Sequence, residues 1–315
     1  MRADPIAVNK ARTKFAGKRQ EITVLMPVNA YHEDFLLRAV ESIMRQTSPL
    51  WSLLVIVEEK TGSDVLQLLS RRMEDPRIQL VRNEGRKLAG AINTGMRHAE
   101  TDFVAMLLGD DMWAPEAVSV LLNYVAQYPE ADFFHSSRIV IDESDTAISE
   151  VFQSRQRFES RDFVHGSPVK HLLCWRKKKA LAIGGLDESL NSVGPDDYDF
   201  PWTMADNGAR FMAIRECLYY YRNHCSTYRL TTHIPLSVHK REVRRILKKH
   251  GIGWVERRRI VRKHSSGSLG AQCIFRSSLD KWIKGILGYD ARKDWKRPVY
   301  RRNRSHGECT PLPVK

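Results

Sequence analysis

The sequence predicts an α/β fold with a mostly parallel sheet flanked by helices. Strand-length apolar segments alternate four times with segments whose apolar residues recur at helical spacing. The fourth apolar run, residues 103–108, has no polar position, as expected for a parallel strand buried on both faces. It ends in Gly109-Asp110-Asp111, and ligands of parallel sheets bind beyond the carboxyl ends of the strands. The sequence therefore predicts a binding site at that edge.

Turn and cap residues set the expected limits of these elements. Pro27 is expected to stop the first strand, and Ser63 to cap the second helix. After the fourth strand, Pro115 fits the first position of a further helix and Glu116 its first turn. The predicted elements are, in chain order, strand 22–26, helix 34–46, strand 53–57, helix 63–73, strand 78–81, helix 87–99, strand 103–108, helix 198–205 and a strand through 211–214.

Composition places the chain among globular proteins. Of its 315 residues, 42% are hydrophobic and 28% are charged, and no run of about 18 apolar residues suggests a transmembrane helix. Residues 1–20 are basic and polar without an apolar centre, which predicts a flexible arm and not a secretory signal. Five cysteines without a C-x-x-C motif indicate reduced thiols in the cytoplasm, and argue against a zinc ribbon or a disulfide framework.

Positive charge is concentrated in the C-terminal quarter. Residues 236–315 hold 22 Lys and Arg against 6 Asp and Glu, while residues 1–235 carry a net charge of −2. This division predicts a near-neutral working domain with a basic extension that meets an anionic surface, such as a membrane. No motif for RNA or DNA binding accompanies the charge, so a nucleic-acid partner is not expected.

The extension is expected to be helical. Helices are predicted at 237–250 and 254–263, followed by a linker at 265–268 and a disordered tail from Arg292. A third predicted helix, 273–287, could lie in a membrane interface or pack on the working domain, and we favour packing only for the first helix. Its apolar stripe consists of Phe275, Leu279, Trp282, Ile283 and Ile286.

The residues of the strand-to-helix turns limit the type of ligand that can bind at the sheet edge. The turn at 27–31 has no glycine, and neither G-x-G-x-x-G nor a P-loop motif occurs, which argues against dinucleotide-binding enzymes and P-loop NTPases. Asp110 and Asp111 are hard oxygen ligands suited to Mg or Mn carrying a diphosphate. The alternative is a turn in which an aspartate caps a helix.

Four segments in the same order resemble family 2 glycosyltransferases of the GT-A fold, over residues 21 to about 230. They are the strand and proline turn at 22–29, a helix at 38–47 ending in S-x-x-x-Q-T, the N-x-G…A-x-N-x-G stretch at 83–95, and the G-G-L-D-E…D-D-Y-D-F stretch at 184–200. The resemblance implies an inverting transferase that uses a nucleotide-sugar donor and a divalent metal, Mn or Mg. The implied domains are an arm at 1–20, a GT-A domain at 21–235 and the extension at 236–315.

The resemblance also implies which residues bind the donor. Asp110 corresponds to the metal-binding carboxylate of the family, with Asp111 close behind, and His224 completes the metal shell in some relatives. Leu108 replaces the first aspartate of the family motif, which puts the usual ribose contact in doubt. Glu58-Glu59 correspond to an aspartate pair that reads uracil in relatives using UDP; surface glutamates are the alternative. The remaining donor-binding candidates are Pro27, Asn29 and Asn93.

On the acceptor side, the resemblance identifies Asp197 as the catalytic base, with Asp196 in place of the commoner glutamate. A helix-capping role for one of them is the alternative. The Q-x-x-R-W motif of processive synthases is missing at 200–204, so transfer of a single sugar is expected. Lys177-Lys178-Lys179 could face an anionic acceptor, although a solvated helix start explains them better.

The sequence thus predicts a cytoplasmic, metal-dependent, non-processive glycosyltransferase of hexosyltransferase type, bound peripherally at the inner face of the membrane. UDP-sugar is the favoured donor, and the acceptor belongs to polysaccharide, lipid-linked glycan or secondary-metabolite synthesis. A rival reading is a non-catalytic binding protein on a degenerate GT-A scaffold. Leu108 and Glu58-Glu59 support this rival, whereas Asp110, Asp111 and Asp197 argue against it.

Overall fold

The structure, a computed structural model, describes residues 21–190, 194–224 and 236–266, together with the paired short strands Arg301–Arg302 and Cys309–Thr310. The predicted arm at 1–20 and the apolar stripe within 273–287 lie outside the described residues. The tail expected to be disordered from Arg292 also lies outside them, apart from the short strand pair.

The first half of the chain forms the predicted parallel sheet. Strands β1 (Ile22–Val28), β2 (Trp51–Val57), β3 (Ile78–Arg82) and β4 (Phe103–Met106) lie side by side in the order β3-β2-β1-β4, all parallel. Their apolar runs are buried because helices cover both faces of the sheet. The connecting helices are α1 (Glu33–Met44), α2 (Gly62–Leu69) and α3 (Lys87–His98).

Two predicted limits in this half were wrong. Strand β1 continues through Pro27 to Val28, because β4 pairs with β1 only as far as Leu25. Beyond Leu25 only β2 adjoins the strand, and such an edge tolerates a residue without an N–H donor. Ser63 lies inside α2, whose N-cap is Thr61, and a short 3-10 turn at Arg72–Glu74 follows the helix.

The second half continues the same sheet with strands that the sequence analysis had largely missed. These are β5 (Met112–Trp113), β6 (Phe133–Ile141), β7 (Leu173–Arg176) and β8 (Phe211–Arg222), in the order β4-β7-β6-β8-β5. β7 runs antiparallel to both β4 and β6, and β5 runs antiparallel to β8. Four of the seven pairings described in this sheet are parallel, so the predicted mostly parallel α/β architecture is confirmed.

The sequence predicted that a helix begins at Pro115. In the structure, the segment after β4 does not become helical at that residue. Met112 and Trp113 pair with Tyr220 and Tyr219 of β8, which holds this segment extended. Helix α4 (Ala117–Gln127) begins only after that pairing ends, with Glu116 as its N-cap. A tertiary contact has therefore overridden the local helix signal.

Two apolar cores lie on opposite faces of the sheet. Val24 contributes to one and Leu25 to the other, because consecutive residues of a strand point to opposite faces. Helices α1 and α4 cover the first face, and α3 covers the second together with α5 (Lys177–Ala182) and α6 (Phe200–Asp206). The sheet is thereby held rigid, with the carboxyl ends of its parallel strands at one edge.

The C-terminal helices pack on this second face. Helix α7 (Leu236–Lys249) and helix α8 (Trp254–Ser266) bury apolar residues in the same core as Trp202 of α6. Gly251 adopts φ +72° between them, a left-handed conformation that glycine accommodates without strain. Helix α8 ends three residues later than predicted. None of the described helices is long and apolar enough to cross a membrane. The apolar residues that α7 and α8 bury in this core are Val243, Ile246, Leu247, Ile260 and Val261.

Candidate active site

Asp110 and His224 form a polar pair at the carboxyl edge of the sheet. His224 follows the end of β8, and its Nε2 lies 3.0 Å from Oδ2 of Asp110. The imidazole is fully buried against the ring of Phe35, whereas the Asp110 side chain is 26% exposed. The carboxylate therefore faces solvent with a fixed imidazole behind it, and two residues predicted as metal ligands are brought together.

Asp111 points the other way and is completely buried. Its Oδ2 accepts a hydrogen bond from the Tyr219 hydroxyl, and its Oδ1 accepts one from the Arg222 backbone N–H, each at 2.7 Å. Arg222 also donates from Nε to the Asp110 carbonyl oxygen at 2.9 Å. Burial and the Asp111 charge raise the pKa of Tyr219 well above its ordinary value, so this hydroxyl stays a donor. Asp111 thus fastens β8 to the end of β4 and holds the Asp110–His224 pair in place.

The residue types at the Asp110–His224 pair fit a divalent cation. Carboxylate and imidazole are ligands that Mn accepts, and Mg sites are commonly completed by substrate phosphates and water. Among the residues that the structure describes, no group of three His, Cys, Asp or Glu side chains is close enough to enclose a metal. The arrangement is therefore one in which two protein ligands would share a cation with a diphosphate.

The two glutamates after β2 have different surroundings. Glu58 is half-buried and accepts a hydrogen bond from Asn83 Nδ2 at 2.8 Å. Glu59 is 73% exposed and forms an ion pair with Arg82 at 2.5 Å. Glu58 is thus the glutamate held at the sheet edge. Glu59 is a surface glutamate, which was the alternative interpretation of this pair.

The other candidates for donor binding also differ in accessibility. Pro27 is half-buried and Asn29 is exposed at the end of β1. Asn93 is buried in α3, where its amide bonds the backbone N–H and C=O of Leu186 and the Glu188 carboxylate. Gly185, at φ +73°, passes so close that an added Cβ would lie 2.4 Å from Asn93 Oδ1. Asn93 therefore ties α3 to the acceptor-side segment.

Asp196 and Asp197 lie together in a single π-helical turn, Pro195–Asp199, that leads directly into α6. The helix begins at Phe200, two residues later than predicted. Asp196 is buried, and its Oδ2 lies 3.3 Å from Nε2 of His171. Asp197 is half-buried and more accessible than its neighbour. The two carboxylates therefore have different environments within one turn.

The pKa of Asp197 is raised. Its burial and the adjacent charge of Asp196 both favour the protonated form, while the positive charges of His171, Arg138 and Lys170 oppose that shift. A carboxylate with a raised pKa holds an abstracted proton more firmly than an ordinary one, which is the property that a general base requires.

His171 is a site residue that the sequence analysis missed. Besides Asp196, it contacts Tyr219, with 5.2 Å between the ring centres, and Tyr219 bonds Asp111. His171 therefore lies between the acceptor-side and donor-side carboxylates. The only signal in the sequence was its place before the apolar segment of β7, which had not been recognised as a strand.

Helix α7 supports the acceptor-side turn from outside. Lys249 donates to Asp199 at 2.6 Å, and His250 Nε2 lies 3.1 Å from the same carboxylate. The His250 ring also stacks on Trp202, with 4.0 Å between ring centres. Two of the lysines that could face an anionic acceptor have different surroundings. Lys177 donates to the Ala99 carbonyl oxygen, and Lys178 is exposed.

Comparison with known proteins identifies this architecture. Residues 23–175 match the profile of "Glycosyl transferase family 2". An uncharacterised glycosyltransferase of Methanocaldococcus jannaschii is 24% identical over 205 residues, covering 64% of this chain and 70% of the relative. WfgD of Escherichia coli, a UDP-Glc:alpha-D-GlcNAc-diphosphoundecaprenol beta-1,3-glucosyltransferase, is 34% identical over 104 residues, covering 32% and 40%.

The fold is shared with TarS of Staphylococcus aureus. The structure of its residues 1–349 in complex with UDP-GlcNAc superposes with a TM-score of 0.62 at 15% identity, covering 85% of this chain and 79% of TarS. Two further curated relatives are longer, and the chain matches 46% and 17% of their lengths. Residues 23–175 therefore match glycosyltransferase family 2, and the chain has the GT-A fold, as its motifs had indicated.

Proposed function

We propose that this protein transfers one sugar from a nucleotide-diphosphate donor, preferably a UDP-sugar, to an acceptor hydroxyl with inversion at the anomeric carbon. The observation that carries the proposal is the pairing of Asp110 with His224 at the sheet edge, joined through Asp111, Tyr219 and His171 to the carboxylates of the acceptor-side turn. One rigid unit thereby presents a donor group and an acceptor group together.

The donor lies along the carboxyl edge of the parallel strands. Glu58, half-buried and hydrogen-bonded by Asn83, would accept an N–H of the base, and Pro27 and Asn29 border the same edge. WfgD uses UDP-Glc, and TarS has been solved with UDP-GlcNAc, which supports a UDP-sugar. The absent carboxylate at Leu108 leaves fewer contacts for the ribose, and we expect weaker nucleotide binding as a result.

Asp110 and His224 would hold Mn or Mg on the donor diphosphate. A cation bound there supplies positive charge that stabilises the departing nucleoside diphosphate. Asp111 was also predicted as a ligand, but its two oxygens already accept protein hydrogen bonds, so we propose that it positions Asp110.

Asp197 acts as the base. It accepts the proton of the acceptor hydroxyl as that oxygen bonds to the anomeric carbon from the face opposite the nucleotide. The bond from this carbon to the donor phosphate oxygen breaks, and its electron pair leaves with the nucleoside diphosphate. Asp196, fixed by His171, orients the turn and raises the pKa of Asp197 through its charge.

The acceptor class proposed is a saccharide, a lipid-linked glycan or a small molecule that meets the enzyme in the cytoplasm. WfgD acts on a diphosphoundecaprenol-linked sugar, which supports the lipid-linked case. A processive enzyme would need a means of retaining the growing chain, and the motif associated with that property is missing at 200–204.

Calorimetric titration with UDP tests the proposal. UDP is expected to bind in the presence of Mn, and Asp110→Ala should remove the Mn-dependent part of its affinity. Glu116→Ala, which alters an exposed carboxylate outside the pair, should bind as the wild type does. Equal UDP affinity with and without Mn would contradict metal dependence. UDP binding without turnover of any acceptor would favour the degenerate binding scaffold.

A further inference from the structure

A cleft opens on the chain segment that leads to His171, the partner of Asp196. It has a volume of about 340 Å³ and is lined by Gln153, Arg155, Asp162, His165, Ser167 and Lys170, among others. Lys170 precedes His171, which contacts Asp196, so the wall of the cleft and the catalytic turn share one segment of chain. This volume is sufficient for a sugar or polyol unit with an attached group.

The charges around this cleft are mainly positive. Arg155 and Lys170 line it, and Arg138 lies close enough to lower the pKa of Asp197 together with Lys170. Asp162 is the acidic side chain of the lining, and it already accepts hydrogen bonds from Arg155 and from the Glu159 backbone N–H. An anion entering the cleft would therefore meet cations.

Two buried side chains near Lys170 and Asp197, Arg138 and His135, differ in charge. Arg138 is 8% exposed, and its Nε has no hydrogen-bond partner among the described residues. His135 is fully buried, with neither ring nitrogen bonded to a described residue. Burial and the charge of Lys170 lower the pKa of His135 to about 3, so it stays neutral. The positive charge thus resides on Arg138 and Lys170.

The two cations of the lining have different partners. His171, Arg138 and Lys170 are the charges that lower the pKa of Asp197. Arg155 lines the cleft but pairs with Asp162 instead. The backbone of the intervening loop is specifically shaped, because Gly166 adopts φ +124°, a conformation that side chains rarely allow.

We propose that this cleft binds a phosphate or phosphodiester group of the acceptor, held by Lys170 and Arg155, within about one sugar or polyol unit of the hydroxyl that Asp197 deprotonates. The inference rests on the proposed transferase activity, because it names the acceptor class of that site. A phosphate oxygen accepting from Lys or Arg forms a charge-assisted hydrogen bond, which is stronger than a neutral one.

Phosphorus NMR of glycerol 1-phosphate, titrated into the full chain saturated with UDP and Mg, tests the proposal. We expect binding that Lys170→Gln and Arg155→Gln each weaken by about tenfold or more, the scale of one charged hydrogen bond. Lys178→Gln, an exposed lysine on α5, should bind as the wild type does. Glycerol, which has no phosphate, should not displace the probe.

The outcomes separate the sources of the phosphate. Binding of glycerol 1-phosphate that depends on Lys170 assigns a water-soluble acceptor, whereas such binding of farnesyl phosphate alone assigns a lipid carrier. No binding of either probe, or equal affinity in Lys170→Gln and Lys178→Gln, overturns the proposal. If Lys170 only balances Asp197, then Lys170→Gln shifts the pH profile of UDP-sugar hydrolysis upward while phosphate affinity stays unchanged, which also overturns it.

UDP affinity and far-UV circular dichroism, measured on the same samples, keep the proposals distinct. Absence of UDP binding by the wild-type protein would contradict the proposed function itself. Normal UDP binding without phosphate binding would contradict only the anionic subsite. If Arg155→Gln unfolds because Asp162 loses its partner, then Lys170→Gln and Lys170→Glu carry the test, and the charge reversal should abolish binding.

Discussion

Asp196 and Asp197 are consecutive residues of one turn, yet their environments differ. Asp196 is buried against His171, while Asp197 is less buried. The charge of Asp196 favours the protonated form of its neighbour, and the positive charges of His171, Arg138 and Lys170 limit that effect. The roles proposed for them, a fixed charge for Asp196 and a base for Asp197, rest on this difference.

At this scale we predict that Asp197→Asn lowers kcat by about two to four orders of magnitude while UDP affinity changes little, since an amide cannot accept the hydroxyl proton. Calorimetry gives the UDP affinity, and NMR of the product gives the anomeric configuration. Glu150→Gln, an exposed carboxylate, is the control. A retained rate in the Asp197 variant would move the base elsewhere, and a product with retained configuration would exclude inversion.

The raised pKa of Asp197 also predicts the acid limb of the pH profile. Only the deprotonated form can accept a proton, so kcat should fall as the pH drops through a value above the ordinary 3.8 of an aspartate. Burial and Asp196 favour the protonated form, so the fall begins at a higher pH than for an exposed carboxyl. A rate that stays constant down to the ordinary value would contradict this assignment.

At the scale of elements, helix α7 is part of the support of the active site. Asp199, at the end of the acceptor-side turn, is 1% exposed and paired with Lys249 and His250. His250 also contacts Asp206 at 2.6 Å and stacks on Trp202. The turn is thus clamped between α6 and α7, which ties the basic extension to the geometry of Asp197.

We predict that His250→Ala lowers the free energy of unfolding by about 2–3 kcal/mol, because it removes a buried ring and leaves Asp199 with one fewer partner. Urea unfolding followed by circular dichroism measures this change. Lys248→Ala, exposed on the same helix, should change the free energy of unfolding by less than about 0.5 kcal/mol. Equal effects of the two substitutions would show that α7 does not clamp the turn.

At the scale of the whole molecule, charge is divided between a near-neutral domain and a basic extension. The described part of the extension also exposes apolar surface, since Trp254 is 63% exposed and Val255 is 73% exposed. Arg258 lies over the Trp254 ring, 5.4 Å from its centre. A basic helix with an exposed aromatic residue suits the surface of an anionic membrane.

We therefore predict peripheral binding to anionic vesicles, because each basic residue near the surface contributes about 1 kcal/mol, weakened by salt. Flotation at low and high salt measures it, and Trp254→Ala should reduce the part that salt does not remove. Val151→Ala, partly exposed elsewhere, is the control. Absence of binding at low salt would contradict attachment, and tight RNA binding with a steep salt dependence would favour a nucleic-acid partner.

Much of the fold was predictable from the sequence because its signals are local. The apolar runs of β1 to β4 and the helical spacing between them define the parallel half of the sheet. The motifs that carried the resemblance also proved to be structural ties. Gln46, of the S-x-x-x-Q-T ending, donates to the Ala114 carbonyl oxygen and accepts from the Val118 backbone N–H, and Asn93 binds Leu186 and Glu188.

Only the tertiary structure decided which polar residues meet. Asp110 joins His224 across 114 positions, and Asp111 joins Tyr219 across 108. His171 precedes β7, which pairs antiparallel with β4 and β6. No local sequence pattern predicted this pairing. Periodicity records which face of an element is buried, but a hydrogen bond between distant residues depends on how the strands are ordered in the sheet. The sequence alone therefore determined the parallel scaffold and its candidate carboxylates. Packing determined the hydrogen-bond partners of these carboxylates, and it left Asp110 partly exposed while it buried Asp111.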